Sequence, residues 1–366
     1  MSRVLVCLAP ILLTLAACER AKVDEVKVTP VTPVKVADAA SDTPRPLDPA
    51  LQNITPIAIN QLAVDTAIYS TQAATSTDPT PAVLRAEVLL DRAHFSPGVI
   101  DGKMGENVRQ AVAAFEEANS LPVDGQLDEA VFAKLTSLDA RPAMTQYTLT
   151  AADVAGPFTE TIPSGVEAQS KLKALGYTSA IERLGEKFHM TEALLKTLNP
   201  GADFTSAGGS IVVAALGPDK LDGKVASIEV DKAESAVKAF DASGKLIAFY
   251  PATIGSDEMT SPDGDLKVSG VAKNPTYTFD PTRLTYKGPK TKMLVAAGPN
   301  NPVGAVWIAL NKPTFGIHGA PDPALIGKRA SHGCVRLTNW DALQLASAVK
   351  PGVPVKFTGV QTAPKV

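Results

Sequence analysis

Three residues set the chemistry this chain can attempt: Cys334, His332 two positions before it, and His318 sixteen positions before it. They stand in the words Ile317-His318-Gly319-Ala320-Pro321 and Ser331-His332-Gly333-Cys334-Val335-Arg336-Leu337. A thiol attacks as its thiolate, and an adjacent imidazolium lowers its pKa. The imidazole can later hand the proton to a leaving amine. Gly319 and Gly333 let substrate and backbone approach closely. A turn over residues 331–334 could aim successive amide N–H groups at a developing oxyanion. Arg336 is placed to bind a carboxylate or to steady the loop. The chemistry indicated is acyl transfer through a thioester. Two other readings use the same residues. His318, His332 and Cys334 are all metal-ligand types, although the His-x-Cys spacing is tight and no fourth ligand is evident. Cys334 could also be a small buried hydrophobe.

The cysteine count sharpens the choice. Cys7 and Cys18 are the other two. Arg3, the apolar run 4–15 and Leu15-Ala16-Ala17-Cys18 read as a secretory signal over residues 1–17, too short for a comfortable permanent span. Cys334 is then the one thiol left for the mature domains, and an unpaired thiol in an oxidising compartment is a liability unless it is used. A thiol redox role is disfavoured, because no second cysteine accompanies it. The net charge of −3 carries no basic excess and excludes a nucleic-acid partner. With 366 residues, 26 Gly and 29 Pro, the chain predicts two or three turn-rich domains with several small cores.

The elements that must position these residues follow from periodicity. Residues 18–81 are rich in Pro and polar residues and read as a tether with a reach of roughly 40–45 Å; its apolar stretch 54–69 is a candidate for docking on a domain. Residues 82–138 read as a small three-helix unit. Val108, Ala111, Val112 and Phe115 share one face, Asp128 caps the next helix, and two turns, Ile100-Asp101-Gly102 and Val123-Asp124-Gly125, suggest a short pseudo-repeat. Residues 147–216 are mixed, with strands at 147–150 and 209–214 and helices at 167–175, 179–189 and 191–198. His94 and His189 read as local packing or surface residues, since no partner cluster accompanies them. Residues 225–358 are β-rich, with a hairpin around 241–245. One helix is expected at 340–349, capped by Asn339, with Leu343, Ala346 and Val349 on one face.

The segment around Cys334 resembles the signature of the L,D-transpeptidase catalytic domain. The likeness extends to Tyr250-Pro251-Ala252-Thr253-Ile254-Gly255, to Gly298-Pro299-Asn300-Asn301-Pro302-Val303-Gly304 and to residues 337–341; Asp263-Gly264-Asp265 departs from the pattern. It implies a multidomain α+β chain with a sandwich-like β-rich catalytic domain. It implies Cys334 as nucleophile and His318 as base, oriented through the Gly319 carbonyl. His332, Gly333 and the Cys334 N–H would form the oxyanion site, with Ser331 and Arg336 supporting loop and substrate, and no metal or cofactor. The implied partners are peptidoglycan stem peptides and glycan, with a second stem, a protein or a free amino acid as acceptor. Hydrolysis as a carboxypeptidase or amidase is the rival outcome, and a non-catalytic wall-binding lipoprotein the rival class. Residues 82–138 resemble a peptidoglycan-binding domain, with Glu116 where that family commonly has Gln. Residues 147–216 end like a lysin motif, in Leu195–Gly201 and 209–213. Leu15-Ala16-Ala17-Cys18 resembles the bacterial lipobox, which implies acylation of Cys18 and a membrane anchor in the periplasm, with Glu19 favouring the outer membrane. Deleting 82–216 is expected to weaken wall binding and spare the thiol chemistry.

Overall fold

The computed structural model describes residues 59–255, 261–283, 289–328 and 333–360. The signal, Cys18, most of the tether, Ser331 and His332 lie outside the described residues. Helices Gln61–Asp65, Thr71–Thr75, Pro81–Arg92, Glu106–Ala118 and Glu129–Leu138 come first. β1 (Met144–Thr148) follows, then helices Ala151–Val154, Val166–Gln169, Ala180–Lys187 and Glu192–Leu198, and β2 (Ser210–Ala214). The remaining strands are β3 (Ser227–Asp231), β4 (Ala236–Phe240), β5 (Leu246–Pro251), β6 (Thr253–Ile254), β7 (Gly264–Lys273), β8 (Tyr277–Phe279), β9 (Met293–Val295), β10 (Val306–Leu310), β11 (Gly316–His318), β12 (Val335–Arg336) and, after helix Asn339–Ala348, β13 (Pro354–Thr358). The chain is mixed α+β, with a β-rich C-terminal part.

Alternation places the catalytic core. In β3, Ile228 and Val230 are buried between partly exposed neighbours, as a half-buried strand requires. The sheet order is β5-β4-β3-β13-β7-β10-β11-β12-β6, with β13 parallel to β3 and β11 parallel to β12. β7 serves both halves: residues 264–267 pair with β13, and residues 268–273 pair with β10. Side chains from both halves, among them Ile228, Val237, Ile308, Ile317 and Val335, meet in one core with Ala342, Leu345 and Ala346 of the last helix. That helix differs from expectation. Thr338, not Asn339, is its N-cap and accepts from the Asp341 N–H, and Leu343 faces outward. Asn339 is engaged elsewhere, as described below.

The helical unit owes its turns to two buried carboxylates. Glu87 accepts from the Gly102 N–H at 2.7 Å, and Glu116 accepts from the Asp124 and Gly125 N–H groups, both at 2.9 Å. Each glutamate thus satisfies amides of an x-Asp-Gly turn that would otherwise be buried without partners. The pseudo-repeat has a physical basis, and Glu116 is a structural residue rather than a contact for a ligand.

The upstream parts are not separate beads. Pro56–Val366 form one compact unit. Helix Pro81–Arg92 is buried on two sides: Val83, Ala86, Leu89 and Leu90 join the helical core, whereas Leu84 and Val88 join the core that contains β1 and β2. Ala236, Leu246 and Phe249 of the catalytic sheet lie in the helical core. The Phe249 N–H donates to the His94 carbonyl, and the Ser96 N–H donates to the Phe249 carbonyl, each at 2.9 Å. This covers the outer edge of β5, which would otherwise offer unpaired backbone groups. The tether is corrected at its end: Asn60 caps helix Gln61–Asp65, Val64 is fully buried, and Asp65 accepts from the Met144 N–H at 2.8 Å. Expected helix 167–175 shrinks to Val166–Gln169. The following chain instead bonds to the catalytic domain, with the Leu175 N–H on the Ala297 carbonyl and the Asn300 N–H on the Leu175 carbonyl. Deleting 82–216 would therefore uncover apolar catalytic-domain surface, contrary to the simple modular expectation.

Candidate active site

β11 and β12 bring the chemistry together. Their parallel register sets Ile317 opposite Val335 and His318 opposite Arg336. Ile317 and Val335 point into the core, so alternation turns His318, Cys334 and Arg336 to the other face. Strand spacing and rise put the Cα atoms of Cys334 and His318 roughly 8 Å apart, diagonal neighbours on that face.

His318 is 3 % exposed and bonds through Nδ1 to the Gly319 carbonyl oxygen at 2.7 Å. A carbonyl can only accept, so Nδ1 carries the proton and Nε2 presents the lone pair. The ring stacks on Trp307 of β10, with centroids 5.2 Å apart. Burial, with the Arg336 charge adding to it, pushes the His318 pKa down to about 3, against the Gly319 bond. Burial pushes the Cys334 thiol up, opposed by a backbone hydrogen bond from Gly316 and by Arg336. For this pair burial therefore disfavours both charged forms, imidazolium and thiolate.

The thiol has a specific resting contact. Cys334 Sγ donates to the Thr314 carbonyl at 3.6 Å, within the longer range of sulfur. Thr314 has φ +74°, a left-handed conformation that a β-branched residue adopts only at a cost of about 1–3 kcal/mol. Nothing in the sequence marked Thr314. Ser261 opens a turn that resembles the family pattern, but its sequence suggested no role: it is buried, and its Oγ donates to the Gly333 carbonyl at 2.8 Å. That bond holds the residue before Cys334 from three residues ahead of β7. Arg336 is partly buried and its Nε has no partner among the described residues. Ser331 and His332 lie outside the described residues, so the site's known geometry rests on His318, Gly319, Gly333, Cys334 and Arg336. No cluster of three or more metal-ligand side chains occurs among the described residues.

Behind this face, Asn339 ties domains together. Its Nδ2 donates to Glu186 Oε1 and Oε2 at 3.0 and 3.1 Å and to the Pro299 carbonyl at 3.2 Å, while its Oδ1 accepts from the Ala305 N–H. Gly319 is required here, since a Cβ would lie 2.2 Å from Asn339 Oδ1. Burial raises the Glu186 pKa to about 7 and the Asp341 pKa to about 7. Nearby, His189 Nδ1 lies 2.8 Å from Asp91 Oδ2, and its ring stacks on Trp340 with centroids 4.7 Å apart. His189 is thus a junction residue, not an isolated one.

Comparison with known proteins places this geometry in context. Residues 226–357 match the family model described as "L,D-transpeptidase catalytic domain", and residues 79–135 match "Putative peptidoglycan binding domain". The chain is 29 % identical over 181 residues to "Putative L,D-transpeptidase YkuD" of Bacillus licheniformis, covering 49 % of this chain and 93 % of that protein. It is 30 % identical over 188 residues to "Probable L,D-transpeptidase YcfS" of Escherichia coli, covering 49 % and 58 %. Among solved structures it is similar to an L,D-transpeptidase from Xylanimonas cellulosilytica, at 16 % identity and a TM-score of 0.36 over 80 % of this chain and all of that one.

Proposed function

The chain carries an L,D-transpeptidase catalytic domain, and on that premise we propose that it is a peptidoglycan L,D-transpeptidase that works through Cys334. The observation that carries the cysteine assignment is the shared face of β11 and β12, on which Cys334 and His318 are diagonal neighbours. The Cys334 thiol attacks the amide carbonyl that joins the L-centre of the third stem residue to the terminal D-Ala. The C–S bond forms as the thiol proton passes to His318 Nε2, and the C–N bond then breaks as that proton goes to the departing D-Ala amine. An acceptor amine attacks the thioester, the new amide forms, and the thiol is regenerated. Burial disfavours the charged form of each group, which favours proton transfer in step with the attack. Ser331, His332 and Gly333 would complete the loop around the oxyanion, and Arg336, with its unpartnered Nε, suits a substrate carboxylate.

Residues 18–58 would tether the enzyme to a membrane through acylated Cys18, with the protein in the periplasm and the outer membrane favoured. The matched peptidoglycan-binding domain and the lysin-motif-like segment 147–216 would hold the enzyme on glycan and raise its local concentration near stem peptides. The acceptor amine would come from a second stem, a protein or a free amino acid.

The test is mass spectrometry of the whole chain incubated with a disaccharide tetrapeptide. Loss of D-Ala together with a cross-linked dimer is expected, and neither should occur with Cys334→Ala. Product formation by that variant would sink the assignment of Cys334. A tripeptide product alone would make hydrolysis the reaction.

A further inference from the structure

A turn at residues 325–327 lies six residues ahead of Gly333 and leads into the nucleophile segment. It is held from two domains. From the catalytic sheet, Thr253 Oγ1 accepts from the Gly327 N–H at 3.0 Å and donates to the Leu325 carbonyl at 3.4 Å. Thr253 is 3 % exposed and pairs on β6 with Arg336 of β12, two residues past Cys334. From the helical domain, Asn107 Nδ2 donates to the Ile326 carbonyl at 3.0 Å. The fit is close. Gly327 has φ +77°, and a Cβ there would lie 2.4 Å from Asn107 Oδ1. Gly98, on the far side, would bring a Cβ to 3.0 Å from Asn107 Nδ2. Asn107 is in the first turn of helix Glu106–Ala118, so its backbone is fixed by that helix.

We propose that Asn107 is a positioning residue for the nucleophile, acting across the domain boundary through the 325–327 turn. The inference rests on Cys334 being the reactive thiol. Thr253 alone fixes the turn on one side. Asn107 closes the other side and so holds the turn on Thr253, which pairs with Arg336 two residues past Cys334. Releasing it widens the range of thiol orientations, and misorientation slows attack on a carbonyl while leaving substrate binding largely intact.

Helix Glu106–Ala118 supplies its own control. Gln110, three residues on, also donates across the boundary, to the Glu234 carbonyl at 2.7 Å, but far along the sequence from the nucleophile. The experiment compares the whole wild-type chain with Asn107→Ala, Asn107→Asp and Gln110→Ala. Stem-peptide turnover and the pH profile of iodoacetamide alkylation at Cys334, read by peptide mass spectrometry, are the two measurements. Both Asn107 variants should lose about tenfold in kcat with KM nearly unchanged, and their alkylation profiles should differ from that of the wild type. Gln110→Ala should leave both unchanged. The aspartate variant keeps the shape and removes the donor, so it decides the matter if the alanine variant fails to fold. Unchanged kcat and profile in the Asn107 variants, or equal changes in Gln110→Ala, would overturn the proposal. A shifted alkylation profile in a chain that never turns over stem peptides would leave the positioning role standing and remove the transpeptidase reading instead.

Discussion

On the face of the sheet that carries Cys334, side chains bond to backbone and burial disfavours charge on two of them. His318 is buried beside the Arg336 charge, the thiol is shifted up, and Arg336 Nε is unpartnered among the described residues. Around Asn339, side chains bond to one another across domains. Its amide makes four hydrogen bonds at 3.2 Å or less, to Glu186, Pro299 and Ala305, and the Ser96 hydroxyl donates to Asp341 at 3.0 Å. A buried polar group without a partner costs about 1–3 kcal/mol. Both regions bear it, at Arg336 Nε on one side and at Trp340 Nε1 and His94 Nδ1 on the other. The contrast lies in the partners: the junction's side chains hold one another across domains, and the face of Cys334, the proposed receiving face, bonds to backbone carbonyls.

The largest effect should come from the receiving face. Replacing His318 with Asn removes the Nε2 base while keeping a side chain that can bond to the Gly319 carbonyl. The rate of thioester formation should fall by about 10²–10⁴-fold, read by intact-mass kinetics, with the melting temperature little changed. A normal rate would mean that the base lies elsewhere. Next comes the shared core. Phe249 is 1 % exposed and packs within the helical cluster. Phe249→Ala should cost about 3–5 kcal/mol in denaturant unfolding, and the loss should be seen equally by probes in the helical and catalytic parts. Unequal losses would make the junction a loose contact.

The smallest effect sharpens the junction's electrostatics. Glu186 has its folded pKa raised to about 7 by burial. The folded state therefore holds a proton that the unfolded state has lost over the interval between the ordinary carboxylate range and pH 7. The contribution is complete below that range and disappears as pH rises through about 7. Glu186→Gln, which carries no charge and can still accept from Asn339, should flatten this decline. Its gain over wild type should be about 1 kcal/mol larger at pH 8 than at pH 6, measured by thermal melts at the two values. An equal difference at both pH values would show that Glu186 does not titrate there.

Much of this was legible in the residues. The hairpin of β4 and β5, the face of helix Glu106–Ala118 and the β-rich character of the C-terminal part follow from local periodicity and turn chemistry, which adjacent residues encode. The words around His318 and Cys334 named the chemistry because its residue types are rare in this chain. What stayed hidden is long-range. The Thr314 carbonyl meets Cys334, 20 positions away, only once the turn between β10 and β11 closes, and Ser261 reaches Gly333 across 72 positions. Asn339 looked like a helix cap because a cap is a local device, yet its amide was taken by Glu186, 153 positions away, and Thr338 capped instead. His189 lacked neighbours in sequence and found Asp91 and Trp340 in space.

Helix Pro81–Arg92, with Leu84 and Val88 in one core and Leu89 and Leu90 in another, has a consequence for how the molecule comes apart. Neither core can open without stripping this helix, and the helical core in turn holds part of the catalytic sheet. Its central amides should exchange with solvent only when Pro56–Val366 unfolds as a whole. Their exchange rates would then read the global stability of the enzyme from a segment that takes no part in its chemistry.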